Sequence, residues 1–496
     1  MKLLVTWVSV LWLAQSVVFA ADVRLLSYAP APPDNPLKGF MPYSGSYATF
    51  PHSLEWFYLP VNSVMTGSNQ FDWTAFEDKL NSIAARGHHA VFRFYLDYPT
   101  LPTGIPQYLL NDGLVTRSYT DYGNNVSVSP DYENPRLRSA LTNFVAQLGA
   151  HYDGDPRIGF ITVGLLGFWG EWHTYPHDAW FASVTVQDEE LAAFQTAFTK
   201  TRFLLRQPYG TNPGSRSMGY HDDSFAYSTI DPPEWHFLGT LKTAGETNKW
   251  RTQPIGGEIR PEIQSCLWDA NTSGCLIPPQ DYNQCVDATH ATWMLSQAAF
   301  EPGFSGAKKD RAIAGARRLG YEFYVAKVAF TVLGNTATVA VTLRNTGVAP
   351  FYYDWPMELA ALLDDGTIVQ AWTPPWTLRG LLPAATNTVW SYDLSSSQLP
   401  AGVFALAIRA ANPLTNGKAL RFANTTQDQH RDGWLTLGRF QLTAPRRLAT
   451  LQGDGGVNLS VQDKLPFGAS IEAPPDLQSW SLWPTNLRSP TGRQAE

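Results

Sequence analysis

Two glutamates stand where apolar stretches of the chain break off. In Ile158 to His173, IGFITVGLLGFWGEWH, an apolar run of the kind that forms a buried strand ends in Trp169, Gly170, Glu171, Trp172 and His173. In Gln253 to Glu262, QPIGGEIRPE, a short apolar approach and two glycines precede Glu258. In a barrel of alternating strands and helices the C-terminal strand ends carry the chemistry, so a carboxylate at such an end reads as catalytic. The interval of about 87 residues is close to three strand–helix units of about 30 residues each, which sets the two carboxylates across one mouth. Glycosidic cleavage needs such a pair, one carboxylic acid to protonate the leaving oxygen and one carboxylate to attack the sugar or activate water. Carboxyl groups roughly 5 to 6 Å apart give retention of configuration. The indoles flanking Glu171 predict a raised pKa and the proton-donor role, and Arg260 beside Glu258 predicts an ionised nucleophile.

Other polar residues cluster at predicted strand ends. Ser217 to Phe225, SMGYHDDSF, offers Tyr220, His221 and Asp222 to sugar hydroxyls; the alternatives are a helix or turn cap by Asp222 or Asp223, or a metal held with His173 or Glu171. Ala90 to Asp97, AVFRFYLD, carries Arg93 in an otherwise apolar strand, where an unpaired guanidinium is costly and must meet a carboxylate. Pointing inward, Arg93 meets one of the two glutamates; pointing outward, it pairs with a helix. Asp97, Trp169, Trp172, His173 and Trp293 complete the set expected to touch substrate, with Trp293 read either as a sugar platform or as a plain core residue.

The elements that must hold these residues alternate from about residue 35 to 320. Eight strands are predicted: Gly39–Tyr43, Trp56–Asn62, Ala90–Leu96, Ile158–Leu166, Phe203–Gln207, Ser217–His221, Gln253–Gly256 and Ala291–Leu295. Asn134-Pro135 opens a helix whose Leu137, Leu141, Phe144, Val145 and Leu148 share one face. Phe71, Phe76, Leu80 and Ile83 mark an earlier one. After about Leu319 short β-type runs follow one another with no helical period between them: Val328–Leu333, Ala337–Leu343, Met357–Leu363, Val389–Leu394, Val403–Ala410 and Leu435–Leu442. The fold expected is therefore α/β, a (β/α)8 barrel over residues 21–319, followed by an antiparallel β-sandwich over 320–445 and a flexible tail over 446–496.

Composition narrows the partners. Across 496 residues the formal net charge is −7 and the charged fraction 16%, which disfavours nucleic acid and anionic membrane and suits a neutral carbohydrate. Residues 1–20, with Lys2, an apolar centre and Val18-Phe19-Ala20, have the layout of a secretory signal peptide, so a secreted protein with no membrane span after cleavage is expected. Of Cys266, Cys275 and Cys285, two are expected to pair in an oxidising compartment. Their spacing lacks the pattern of a structural zinc site, and neither metal nor cofactor is expected. Asn125, Asn271, Asn424 and Asn458 lie in glycosylation sequons that matter in a eukaryotic host.

With these residues in hand, the barrel region resembles the retaining glycoside hydrolases of clan A, whose acid/base glutamate follows the fourth strand and whose nucleophile follows the seventh. The resemblance implies Glu171 as acid/base and Glu258 as nucleophile. It departs at Gly170, where the clan usually has Asn. More closely, the chain resembles a glycosidase-like family of secreted two-domain proteins of bacteria and fungi whose function is not known. The shared features are NPLKGF from Asn35, FRFYLDYP from Phe92, GFWGEWH from Gly167, GYHDDSF from Gly219, GGE from Gly256, NTGVAPFYY from Asn345 and RFAN from Arg421. The leading expectation is a secreted retaining glycosidase. The alternatives are a non-catalytic carbohydrate-binding barrel and a metal-dependent hydrolase.

Overall fold

The computed structural model describes residues 22–230, 236–333, 336–383, 386–395, 402–442, 448–453 and 456–461. The expected signal peptide lies outside the described residues. So does most of the expected tail, within which Leu448–Gly453 and Gly456–Val461 pair as a hairpin.

Eight parallel strands form a barrel: β1 Gly39–Met41, β2 Leu54–Pro60, β3 His89–Tyr95, β4 Ile158–Thr162, β5 Phe203–Leu205, β6 Gly219–Phe225, β7 Ile255–Ile259 and β8 Trp293–Leu295. Their order, β1-β8-β7-β6-β5-β4-β3-β2, follows the chain around the ring. The ring closes where Tyr43 bridges Trp56, with Ser44 N donating to Trp56 O at 2.7 Å and Trp56 N to Pro42 O at 2.9 Å. Every predicted strand is present. The fourth is shorter than its apolar run because the backbone after Thr162 turns across β3, with Gly164 so close to the Phe94 carbonyl that a Cβ there would lie 2.0 Å from its oxygen.

The two-residue period of the strands sorts the side chains. Phe57, Phe92 and Phe94 face outward and pack with Phe76, Leu80 and Phe144 of the surrounding helices, α1 Thr74–Ala85 and α2 Pro135–Tyr152. Asn134 caps α2 by accepting from Arg136 N at 2.9 Å and Leu137 N at 3.3 Å, which satisfies two of the free N–H groups of its first turn. Leu54, Trp56, Val91, Phe160, Leu204 and Trp293 fill the lumen and join the core of the second domain. The glycines of GGE serve this packing: a Cβ on Gly256 would lie 2.2 Å from the Trp293 ring.

The second domain is a sandwich of two antiparallel sheets. One contains β9 Phe323–Leu333, β10 Thr336–Asn345 and β13 Thr388–Ser395; the other contains β11 Met357–Leu362, β12 Ile368–Trp372, β14 Gly402–Ala410 and β15 Leu435–Leu442. All six predicted runs are strands. The half-exposed β12, with its weak alternation, is not among them. Asp22–Leu25, placed in the barrel segment by the sequence, instead pairs antiparallel with β9 at Val23↔Ala329. The sandwich caps the N-terminal ends of the barrel strands. Tyr353 Oη accepts from Arg202 N at 3.0 Å just before β5, Tyr352 Oη donates to Trp250 O at 2.6 Å, and Lys38 Nζ donates to Tyr321 O at 2.8 Å. The C-terminal ends of the strands lie on the opposite side from the sandwich.

Cys266 and Cys275 are disulfide-bonded, and Cys285 is free and buried. Among the described residues no helix is long and apolar enough to cross a membrane. Helix α3, Val184–Ala197, buries Glu190 with neither carboxyl oxygen hydrogen-bonded, and burial first, then Glu189, pushes its pKa up to about 8. The folded state therefore holds a proton there that the unfolded chain releases near its ordinary carboxylate range. Stability contributed by this proton is full below that range and lost as pH rises through about 8, at up to about 1.4 kcal/mol per pH unit. Glu190→Gln should flatten this decline, so the melting temperatures of variant and wild type should diverge progressively from pH 5 to pH 9. Parallel curves would show that Glu190 does not titrate in this window.

Candidate active site

A tight knot of backbone carries Glu171 from the end of β4 back over the lumen. Phe168 N donates to His173 O at 2.8 Å, Glu171 N to Phe168 O at 2.8 Å and Trp172 N to Leu166 O at 3.0 Å. Trp169 and Trp172 hold φ of 54° and 59°, in the left-handed region that non-glycine residues rarely occupy. Gly170, where the resembled clan has Asn, has φ of 68° and would bring a Cβ within 3.0 Å of Phe94 O. A side chain there fits neither the backbone nor the space.

The knot lowers Glu171 onto Arg93 of β3. Arg93 Nη1 donates to Glu171 Oε1 at 3.0 Å, and Arg93 is only 2% exposed. Its guanidinium lies 5.2 Å from the Trp56 ring centroid and 5.6 Å from that of Tyr58, and its Nε donates to Thr162 Oγ1 at 3.3 Å. His173 Nε2 lies 3.7 Å from the other oxygen of Glu171. Burial opposes ionisation of Glu171, but His173, Arg93 and Arg206 outweigh it and hold the carboxyl down to about 2.

Glu258 is in the opposite state. It projects from β7, almost fully buried, with Gln264 Nε2 3.4 Å from its Oε1. Burial first, then the charge of Glu171, raise its pKa well above the ordinary carboxylate range against the opposing charge of Arg93. Arg206 is committed elsewhere, its Nε pairing with Asp223. Two guanidiniums thus face three carboxyl groups, a balance that disfavours ionisation of Glu258. These shifts run opposite to the directions expected from the sequence for the two glutamates. Arg260 does not reach Glu258: its Nε pairs with Glu262 at 3.0 Å and its guanidinium sits 4.0 Å above the Tyr227 ring. Burial among apolar neighbours does raise the pKa of Glu171, as the sequence suggests, but His173, Arg93 and Arg206 together outweigh it.

The other residues predicted to touch substrate divide into three groups. Arg93, Trp169 and His173 surround the mouth with the two glutamates. His221 and Trp293 lie one layer down, their rings 5.6 Å apart and both fully buried. Both ring nitrogens of His221 lack a protein partner, and burial first, then Arg93, keep the ring neutral. The remaining four turn away. Asp97 accepts from Tyr119 Oη and Ser127 Oγ, each at 2.6 Å; Trp172 Nε1 donates to Gly164 O at 3.1 Å; Tyr220 Oη faces Glu246 at 3.4 Å; and Asp222 accepts from Thr229 Oγ1 at 2.6 Å. For Tyr220 and Asp222 the cause is strand alternation, since His221 and Asp223 take the inward positions of β6. Arg206 escaped the sequence reading, although the same period from Leu204 points to it, and Asp223, read from the sequence as a possible cap, instead pairs with Arg206. Tyr43, Tyr58 and Tyr98 were also missed; the charges of both glutamates act on each of them.

A metal has little to bind here. Glu171, Asp223 and Asp222 are held by Arg93, Arg206 and Thr229 respectively. Among the described residues His52, Glu55 and His88 have ligand spacing, at the start of β2 and away from the mouth. Glu55 already accepts from Arg86, His88 and Gly45 N, and the adjacent guanidinium opposes a cation.

Neither a protein-family model nor a curated protein matches the sequence. Among solved structures, similarity is found to endo-glycoceramidase II from Rhodococcus sp., with 11% identity, a TM-score of 0.36 and coverage of 74% of this chain and 99% of that one. An endo-beta-1,4-mannanase from Thermotoga petrophila matches with 10% identity, a TM-score of 0.29 and coverage of 72% and 84%. An endoglucanase from Pseudomonas stutzeri matches with 10% identity, a TM-score of 0.32 and coverage of 58% and 97%. The assignment as a barrel rests on the strand order above.

Removing the guanidinium should release the charge of Glu171. In Arg93→Met, burial still raises the Glu171 pKa while its nearest counter-charge is gone, so carbon-13 NMR of the glutamate carboxyls should show it titrating more than one pH unit higher than in the wild type. The variant should also lose about 3 kcal/mol of stability, since a buried charge is left unpaired. An unchanged Glu171 titration would show that the ion pair does not set its charge.

Proposed function

We propose that this chain is a glycoside hydrolase, secreted, that cleaves a neutral poly- or oligosaccharide by double displacement with retention of configuration. One observation carries the reading: of two carboxyl groups at the C-terminal end of the barrel, Glu171 is ion-paired with the buried Arg93 at 3.0 Å, while burial and the charge of Glu171 raise the pKa of Glu258. Double displacement needs this division between nucleophile and acid. In the roles that follow, the Glu258 carboxylic acid gives its proton to the glycosidic oxygen as the C–O bond breaks. Glu171 attacks the anomeric carbon and forms a glycosyl ester. Forming the ester removes the negative charge that helps hold Glu258 protonated, so the Glu258 carboxylate is stable in the intermediate. It then takes a proton from water as that water attacks the anomeric carbon and frees Glu171.

These roles exchange those implied by the resemblance. The mechanism requires a carboxyl separation of about 5 to 5.5 Å. The Tyr58, Tyr98 and Trp169 rings beside the carboxyls offer faces for a sugar, and the Cys266–Cys275 disulfide suits an exported protein.

The roles separate in rescue experiments. Glu258→Ala should lose about 10²- to 10⁴-fold on substrates with poor leaving groups yet keep the first step on activated aryl glycosides, which depart without a proton. Azide should rescue this variant with retained configuration. Glu171→Ala should lose the first step on every substrate, and azide should give a product of inverted configuration. Exchanged patterns would return the acid/base role to Glu171; full activity in both variants would sink the glycosidase reading.

A further inference from the structure

Two long loops, residues 96–134 after β3 and 163–183 after β4, join into one wall on a single side of the mouth. Asp97 bridges Phe168, Tyr132 Oη accepts from Gly167 N at 2.8 Å, His177 Nε2 meets Asp121 Oδ2 at 2.7 Å, and Tyr122 Oη donates to Tyr175 O at 2.8 Å. Aromatic rings run up this wall from the lumen. Tyr98 lies 5.5 Å from Tyr58, Trp169 lies 6.4 Å from Tyr98, and Tyr122 lies 4.7 Å from Trp169. Tyr122 is 45% exposed, and Tyr175 beyond it 63%.

The outer rings pack on Phe168, Tyr122 at 6.0 Å and Trp169 at 6.3 Å, yet Tyr122 remains 45% exposed. Trp169 and Tyr122 meet across the two loops, and each holds a positive φ, 54° and 55°. Strain of this kind persists where the surroundings over-determine it, and it clusters at ligand clamps. The Trp169 ring also lies 6.0 Å from that of His173, which borders Glu171, so the wall is continuous with the catalytic carboxyls. Of the acidic groups beside it, Asp121 is hydrogen-bonded by His177 and Glu171 is paired with Arg93. An occupant must therefore bring flat apolar C–H faces, hydroxyl groups and no net charge.

We propose that Trp169 and Tyr122 form a second sugar site adjoining the one at Glu171 and Glu258, so that the protein takes a chain of several neutral sugars rather than a single one. This rests on the glycoside hydrolase reading for the identity of its neighbour, and it commits the wall to a neutral oligosaccharide. A lone sugar at the carboxyls leaves Tyr122 unused, whereas a chain lying along the wall covers it.

The test uses the full chain, p-nitrophenyl monosides, and cello-, manno- and laminari-oligosaccharides of two to six units, together with native gels cast with the parent polysaccharides. The ratio of kcat/KM on the longer oligosaccharides to that on the monosides should fall about tenfold in Tyr122→Ala, through KM. Tyr122→Phe, which keeps the ring and loses only the bond to Tyr175, should restore the ratio. Hydrolysis with no gain from added units, or a ratio unmoved in Tyr122→Ala, would overturn the second site and leave the hydrolase reading standing. Polysaccharide-dependent retardation that needs Tyr122, without hydrolysis of any substrate, would uphold the site and overturn the hydrolase reading. Neither hydrolysis nor retardation overturns both. Self-association lost in Tyr122→Ala would give the wall to a second copy of the chain and overturn the proposal.

Discussion

A single guanidinium inside the barrel constrains everything above it. Arg93 is almost fully buried on an inward position of β3, and a charge in that place must be neutralised at close range. Glu171 supplies the counter-charge, which requires the chain after β4 to bend back over the lumen. The strained knot from Leu166 to His173, the close passage of Gly164 over Phe94 and the open backbone at Gly170 all serve that bend. The ion pair also decides the charge of its neighbour. With Glu171 paired to Arg93 and Asp223 to Arg206, Glu258 is left beside a carboxylate, and its pKa is raised.

The two ends of the lumen are built for opposite purposes. Toward the N-terminal strand ends, Leu54, Val91, Phe160 and Leu204 make an apolar plug that runs on into the sandwich core through residues such as Tyr321 and Phe323. Toward the C-terminal ends, the next inward positions on the strands carry Tyr58, Arg93 and Glu258, with Arg206 just past β5. The low polarity beneath strengthens every electrostatic interaction above it. Burial of this layer against the sandwich keeps water away from the underside of the site while leaving the mouth open. His221, with both ring nitrogens unpartnered, marks the boundary between the two regimes.

Strand period explains most differences between the site read from sequence and the site in space. In GYHDDSF, Tyr220 and Asp222 share one face of β6, and His221 and Asp223 share the other; the sequence offers all four as polar groups at a strand end. The same applies after β5, where Leu204 points inward and Arg206 follows it into the mouth. Asp97 illustrates a different cause. It lies past the end of β3, where Tyr119 and Ser127 of the following loop capture it, and that capture depends on contacts more than twenty residues away.

The eight barrel strands, the capped helix at Asn134, the change of texture near Leu319 and both glutamates were legible because each is written in a local pattern: period, cap, composition, or a carboxylate at the end of an apolar run. That Arg93 needs a carboxylate was legible for the same reason, as the cost of a buried charge depends on its residue type and its apolar strand. Which oxygen it meets, and hence which glutamate holds the proton, was not. That depends on three carboxyl groups and two guanidiniums drawn from β3, β6, β7 and the ends of β4 and β5, and the distances among them exist only once the barrel has closed. Arg260 stands two residues from Glu258 in the sequence and pairs with Glu262, while Arg93, 78 residues before Glu171, pairs with it. Coulomb energy follows distance in space, and only the tertiary structure fixes that distance.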